Sequence, residues 1–181
     1  MNAQRIPSIE LSTADETTKR NFEKLTARIG RVPNMPRAMA QSPAALEGWM
    51  SLLEALAKGL LSKKLAAELA LALAGINHCQ YCASSHTVLS KFAGLDDAQI
   101  VNALEGKVED SKDAAAVDFA KIVVEKRGRI DDDDFNCVRD AGFTPGEISE
   151  IVAHVALNIF TNYFNLVART NIDWPQISVN V

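Results

Sequence analysis

Three observations on the 181-residue sequence predict an all-α fold. Alanine occurs 26 times, while glycine and proline occur only 9 and 6 times, a balance that favours helices. Apolar residues recur at three- and four-residue spacing through most of the chain, and no alternating strand pattern interrupts them. Helix-start signatures, capping boxes and first-turn prolines, stand ahead of several of these runs.

Residues 1–11 read as an extended arm. Thr13 and Glu16 form a capping box, and Phe22, Leu25 and Ile29 follow at helical spacing until Gly30. The segment RVPNMPRAM, residues 31–39, reads as a proline-punctuated crossing. Ser42-Pro43 starts a helix through Trp49, Leu52, Leu53 and Leu56 that stops at Gly59. Ser62 opens the next helix, whose Leu, Ala and Ile residues surround most of its circumference and predict burial. Gly75 and Asn77 predict a break or kink before Cys79, and a fresh helix runs from about Cys79 to Phe92, closed by Gly94. Asp96–Leu104 is short and ends at Gly106. Ser111–Lys126 carries Val117, Phe119, Ile122 and Val123. Asp131–Val138 begins with four aspartates, read as a solvated start that complements the helix dipole. Thr144-Pro145-Gly146-Glu147 supplies a cap, a first-turn proline and a capping-box glutamate for the longest helix, from about Glu147 to Arg169. The chain is expected to form a single domain over 1–181, with an arm and helix over 1–32, a core over 33–176 and a tail over 177–181.

Composition excludes several function classes. The net charge of −4 argues against a nucleic-acid-binding surface, and a hydrophobic share of 48 % is too high for a disordered chain. Three cysteines are too few for a disulfide-stapled secreted fold. The N-terminus lacks an apolar run after a basic start, and the longest apolar stretch, Leu69–Ile76, is far short of a membrane span. The expected setting is therefore cytoplasmic and reducing, with no membrane partner. Two close cysteines there point to redox or metal chemistry.

That chemistry centres on Cys79-Gln80-Tyr81-Cys82-Ala83-Ser84-Ser85-His86, spaced C-x-x-C-x-x-x-H. On a helix Cys82 lies about 60° from Cys79 and His86 about 40° from Cys82, so the three share a face. Cα atoms three apart stand roughly 5–6 Å from each other, within disulfide range. A histidine one turn beyond Cys82 can take its proton, while the helix start favours a thiolate at Cys79. The two arguments favour different cysteines. Cys82 is chosen as the attacking thiolate and Cys79 as the resolving thiol, because His86 also supplies a proton route. Glu68, eleven residues before Cys79, falls only about 20° off that face on a continuous helix and could extend the relay to His86. Zinc would need four ligands, which one short helical face does not easily provide, and Ala83 after Cys82 excludes c-type haem attachment. No metal and no cofactor is expected. No flavin or nicotinamide fingerprint is present, so an external dithiol must regenerate the pair.

The C-x-x-C-x-x-x-H motif with the upstream ELALALAGIN, residues 68–77, resembles the alkylhydroperoxidase AhpD-like branch of the carboxymuconolactone decarboxylase family. Residues 150–175, EIVAHVALNIFTNYFNLVARTNIDWP, resemble the C-terminal part of its peroxidase-related members. The resemblance runs from about residue 33 to 176. It implies an AhpD-like helical bundle, assembly into homotrimers or homohexamers, and thiol-dependent reduction of hydroperoxides through Cys79, Cys82 and His86. The family's glutamate stands twelve residues before the first cysteine. That position is Ala67 here, so Glu68 is one residue late. At Tyr81 some members carry histidine.

Further candidates lie outside the motif. Tyr81 could line the thiol pocket or serve packing. His154, Asn158, Asn162 and Asn165 form a polar stripe in the longest helix. It reads as an inter-subunit hydrogen-bonding seam or, through His154 or an asparagine such as Asn158, as lining of the thiol pocket. Cys137 reads as a small buried residue. The expected function is a thiol-dependent peroxidase. A carboxymuconolactone-type decarboxylase and a non-enzymatic redox sensor are the alternatives.

Overall fold

α4, Lys63–Ile76, is the element around which the others are arranged. It is capped by Ser62, whose side chain accepts from the Leu65 N–H, and every residue from Leu69 to Ala74 is buried. α5 (Gln80–Lys91), α6 (Asp97–Leu104), α7 (Ser111–Glu125) and α9 (Pro145–Ala168) all pack on it. α1 (Glu16–Ile29), α2 (Asn34–Met39) and α3 (Pro43–Leu56) close the side next to α5 and α9, and α8 (Asp132–Asp140) lies on α7 and α9. This computed structural model describes residues 3–177, and among them there are nine α-helices, one 3₁₀ turn at Leu11–Thr13 and no strand. The expected tail over 177–181 lies, beyond Ile177, outside the described residues.

The structure corrects three sequence expectations and bears out a fourth. Thr13 does not cap α1: it sits in the 3₁₀ turn, its hydroxyl donates to the Glu10 carbonyl, and Asp15 caps the helix through the Thr18 N–H. The proline-punctuated crossing contains a helix, α2, because Pro36 falls in its first turn, where a missing N–H leaves no bond unmade. The expected break before Cys79 is present: α4 ends at Ile76 and α5 begins at Gln80, while Gly75 itself stays helical. Its role is close approach, since a Cβ there would stand 2.0 Å from the Leu104 carbonyl oxygen of α6. Finally, α9 is long and apolar enough, by length and composition, to cross a membrane, although Leu69–Ile76 is not. In the fold α9 packs on α3, α4, α5 and α7, with His154, Asn158, Asn162 and Asn165 turned inward.

Two apolar cores share α4 and α9. Leu65, Leu69 and Leu73 of α4 meet Val117 and Phe119 of α7, Val138 of α8 and Ile148, Ile151 and Val155 of α9. The second core joins Phe22 and Leu25 of α1, Met35 and Met39 of α2, Leu46 and Trp49 of α3, and Leu157 of α9 around Cys79, Tyr81 and Cys82.

Candidate active site

The turn between α4 and α5 places the cysteines. His78 adopts a left-handed conformation with φ 50°, its N–H reaches the Gly75 carbonyl, and the Cys79 N–H reaches the Ala74 carbonyl. These two bonds form a Schellman turn, with histidine where glycine is usual. Cys79 thus ends one helix and caps the next, its Sγ accepting the Cys82 N–H at 3.3 Å. A sulfur stands where serine or aspartate usually caps, over the unpaired N–H groups of the first turn.

Cys79 and Cys82 form a disulfide, with Cα atoms 5.3 Å apart. Both are buried, at 1 % and 3 % exposure. Only Cys82 lines a cavity of about 300 Å³. The cavity walls are apolar side chains from α1, α2, α3, α5 and α9, with Trp49, Leu157 and Trp174 among them, and Phe92 and Arg28 stand exposed beside it. Its polar groups are few: Tyr81, Ser85, His86, Asn158, Thr161 and Asn165, besides Arg28, and none is a carboxylate. Such a lining offers a largely apolar wall with a few fixed dipoles and the Arg28 cation to orient a ligand.

His86 lines the same cavity as Cys82, one turn further along α5. Burial pushes its pKa down to about 4. The imidazole is therefore neutral at physiological pH, and the same burial makes it a weak base. Asn165 brings a group that spacing did not single out as catalytic: its Nδ2 donates to Cys82 Sγ at 3.4 Å. Its Oδ1 is buried without a hydrogen-bond partner among the described residues.

Of the sequence candidates, the structure brings Cys82, His86, Tyr81 and Asn158 to one cavity. His154 is buried one turn before Asn158 and does not line it, and burial lowers its pKa. The polar stripe is thus internal to the chain, not an exposed seam: Asn162 accepts from Asn77 Nδ2 at 2.9 Å and Asn158 donates to the His154 carbonyl at 2.9 Å. Glu68 stands apart. Its carboxylate pairs with Lys64 at 3.1 Å, near Asp113 of α7, and does not line the cavity. The Schellman turn breaks the helix that would have carried Glu68 onto the cysteine face. Burial raises its pKa against the pull of Lys64. Cys137 is exposed, because on the short surface helix α8 only Val138 faces inward. Asn165 carried a legible signal, lying two turns from Asn158 on one helical face. Trp174, in an irregular segment, carried none.

Comparison with known proteins follows from this geometry. Residues 43–125 match the carboxymuconolactone decarboxylase family. None of the curated proteins matches the sequence. Among solved structures, one of an alkylhydroperoxidase AhpD core, an uncharacterised peroxidase-related protein from Ralstonia eutropha JMP134, superposes with a TM-score of 0.86. It is 20 % identical over 96 % of this chain and 94 % of its own. A peroxidase-related protein from Silicibacter sp. TM1040 gives a TM-score of 0.80 at 22 % identity, over 94 % of both chains. The debrominase Bmp8, as a cysteine-to-alanine variant bound to 2,3,4-tribromopyrrole, gives 0.80 at 18 % identity over 96 % of this chain and 93 % of its own.

Proposed function

We propose that this chain, which belongs to the carboxymuconolactone decarboxylase family and has the AhpD-like fold, reduces organic hydroperoxides by a dithiol–disulfide cycle. The observation that carries the reading is the asymmetry of the pair. Cys82 borders the cavity beside His86 and Asn165, and Cys79 is withdrawn behind it at the helix cap.

In the reduced protein, neutral His86 takes the Cys82 proton, and the Asn165 amide holds the resulting thiolate. The thiolate attacks the terminal oxygen of ROOH and the O–O bond breaks. Cys82 becomes a sulfenic acid, and the alkoxide takes the proton back to leave as ROH. The Cys79 thiol then displaces the hydroxyl of the sulfenic acid, giving the disulfide and water. An external dithiol, itself oxidised to a disulfide, restores both thiols. Glu68 takes no part in this scheme, since its carboxylate is engaged by Lys64. The exposed stripe Val152, Phe160, Tyr163 and Val167 on α9 supports assembly into a homotrimer or homohexamer, and a reducing cytoplasm suits the cycle.

Peroxide consumption coupled to oxidation of a dithiol tests the reading. It should fall to the buffer rate in both Cys79→Ser and Cys82→Ser, and full activity in either variant overturns it.

The carboxylate-free cavity favours a second reading over decarboxylation, namely removal of halogen from an apolar ring, Bmp8 being a debrominase. Cys82 would take the halogen as a sulfenyl halide and the ring carbon would take a proton. Cys79 would then displace halide to give the same disulfide. Halide release with two thiols lost per turnover, and no peroxide consumption, would select it.

A further inference from the structure

The irregular segment after α9 returns to the start of α5, where the Tyr81 phenol stands at the centre of the contacts that fasten it. Tyr81 lies between the two cysteines in sequence and is 6 % exposed. Its hydroxyl accepts the Met35 N–H at 3.0 Å and the Trp174 Nε1–H at 3.3 Å, and donates to Asp173 Oδ1 at 3.0 Å. All three positions that a phenol oxygen offers are filled. Burial raises its pKa, which keeps the proton that the Asp173 bond needs. The other oxygen of Asp173 accepts from Arg31 at 2.9 Å and from the Asn34 N–H at 3.1 Å. Arg31 also donates to the Asp173 carbonyl and lies 4.2 Å from the centre of the Trp174 ring. At the far end of the segment Gln80, the residue before Tyr81, donates to the Ile177 carbonyl. Trp174 lines the cavity.

We propose that Tyr81 is a positioning residue that latches segment 171–177 over the thiol cavity, so that Trp174 sets the size of the molecule that reaches Cys82. It rests on the reading of Cys82 as the thiol that meets substrate. The segment has no secondary structure of its own, and its hold on the body is this polar network, two hydrogen bonds at Asn171 (its N–H to Gln4 Oε1 and its carbonyl from Asn34 Nδ2), and the packing of Ile172, Trp174 and Ile177 on the core. Such an element opens locally, without global unfolding, when its few contacts are removed. Because the latch is a residue of the motif itself, the same short stretch of α5 supplies the reacting sulfur and the fastening of the wall beside it.

The test is alkylation of Cys82 in the fully reduced full-length chain carrying Cys137→Ser. The probes are iodoacetamide as the small one and a pyrene maleimide as the bulky one. Modification is mapped by mass spectrometry, and each rate is divided by that of free glutathione. Tyr81→Phe keeps the ring and removes the hydroxyl. It removes all three hydrogen bonds of the phenol and should raise the bulky-to-small ratio at least about tenfold. Trp174→Ala, which removes the wall and leaves the Tyr81–Asp173 bond, should raise the ratio at least as much, and Trp174→Phe should restore most of the discrimination. A general loosening of the fold would speed both probes together. Equal acceleration of the two, or an unchanged ratio in Tyr81→Phe and Trp174→Ala, overturns the proposal. Alkylation needs no peroxide, so the peroxidase reading and the latch fail by different measurements.

Discussion

The core beneath α7 and α8 and the core beneath α1, α2 and α3 use the same two central helices, yet they differ in what they enclose. In the first, Ile148, Ile151 and Val155 of α9 meet Leu, Val and Phe side chains. In the second, one turn further along the same helix, Leu157, Asn158, Thr161 and Asn165 border a cavity of about 300 Å³ with a disulfide at its wall. The first half of α9 packs into the apolar core, and the second half brings polar atoms to the cavity. A void destabilises a core, so the packed half must carry more of the fold's stability than the half that borders the cavity.

The largest expected effect tests that division directly. Ile151→Ala, at a residue with 0 % exposure, should cost about 3 kcal/mol because it opens a new void in close-packed surroundings. Leu157→Ala removes similar volume but only enlarges a cavity already present, and should cost about 2 kcal/mol or less. Urea unfolding of both variants measures the difference. Equal losses would mean that the cavity is not a standing feature of the fold.

The second effect comes from His86. Its pKa is lowered from 6.5 to about 4 in the folded chain. Above pH 6.5 both states hold a neutral ring and the group contributes nothing. As pH falls the unfolded chain takes up a proton that the folded chain refuses, so stability is lost from pH 6.5 down to about 4 and then levels off. The loss should be on the order of 3 kcal/mol. Wild type should therefore fall by that amount relative to His86→Leu between pH 7 and pH 4 in urea unfolding. Parallel pH curves would show that the imidazole is hydrated.

Smaller still is the effect of Asn165→Leu, which separates stability from reactivity within the hollow core. The Asn165 amide donates to the Cys82 sulfur, and its Oδ1 is buried with no partner among the described residues. Removing the donor should slow Cys82 alkylation about tenfold at pH 7, near 1.4 kcal/mol of thiolate stabilisation. Removing the orphaned oxygen should leave unfolding stability equal or higher. A destabilised variant with unchanged alkylation would reverse the assignment.

How far the sequence disclosed this division depends on the range over which each signal acts. Caps and periodicity act within a few residues, and Ser42, Ser62, Asp131 and Thr144 begin helices where the pattern places them. Cys82 and His86 are legible for the same reason, standing one turn apart on one helix, whereas Cys79 caps that helix and does not share their cavity. Glu68 was projected onto that face by extending α4 through a turn that a left-handed His78 interrupts, and angular arithmetic does not survive such a turn. The inward direction of the α9 stripe was open, because buried asparagines and interface asparagines share one spacing. Asp173 and Trp174 reach Tyr81 from more than ninety residues away in the chain, through a segment with no periodicity to read.

Cys137 gives the smallest effect and the sharpest contrast with the buried pair. Lone cysteines are usually core residues, but α8 turns only Val138 inward and leaves Cys137 in solvent. An exposed side chain that packs against little has little to lose, so Cys137→Ser should change unfolding stability by no more than about 0.5 kcal/mol. Its thiol should react with iodoacetamide and with pyrene maleimide in the same proportion as glutathione, since no wall stands before it. Cys82 should discriminate between the two. If both cysteines favour the small probe equally, the discrimination belongs to the reagents and not to the cavity. If only Cys82 does, the hollow core is closed in a way the surface is not, and its selectivity comes from the residues around the sulfur.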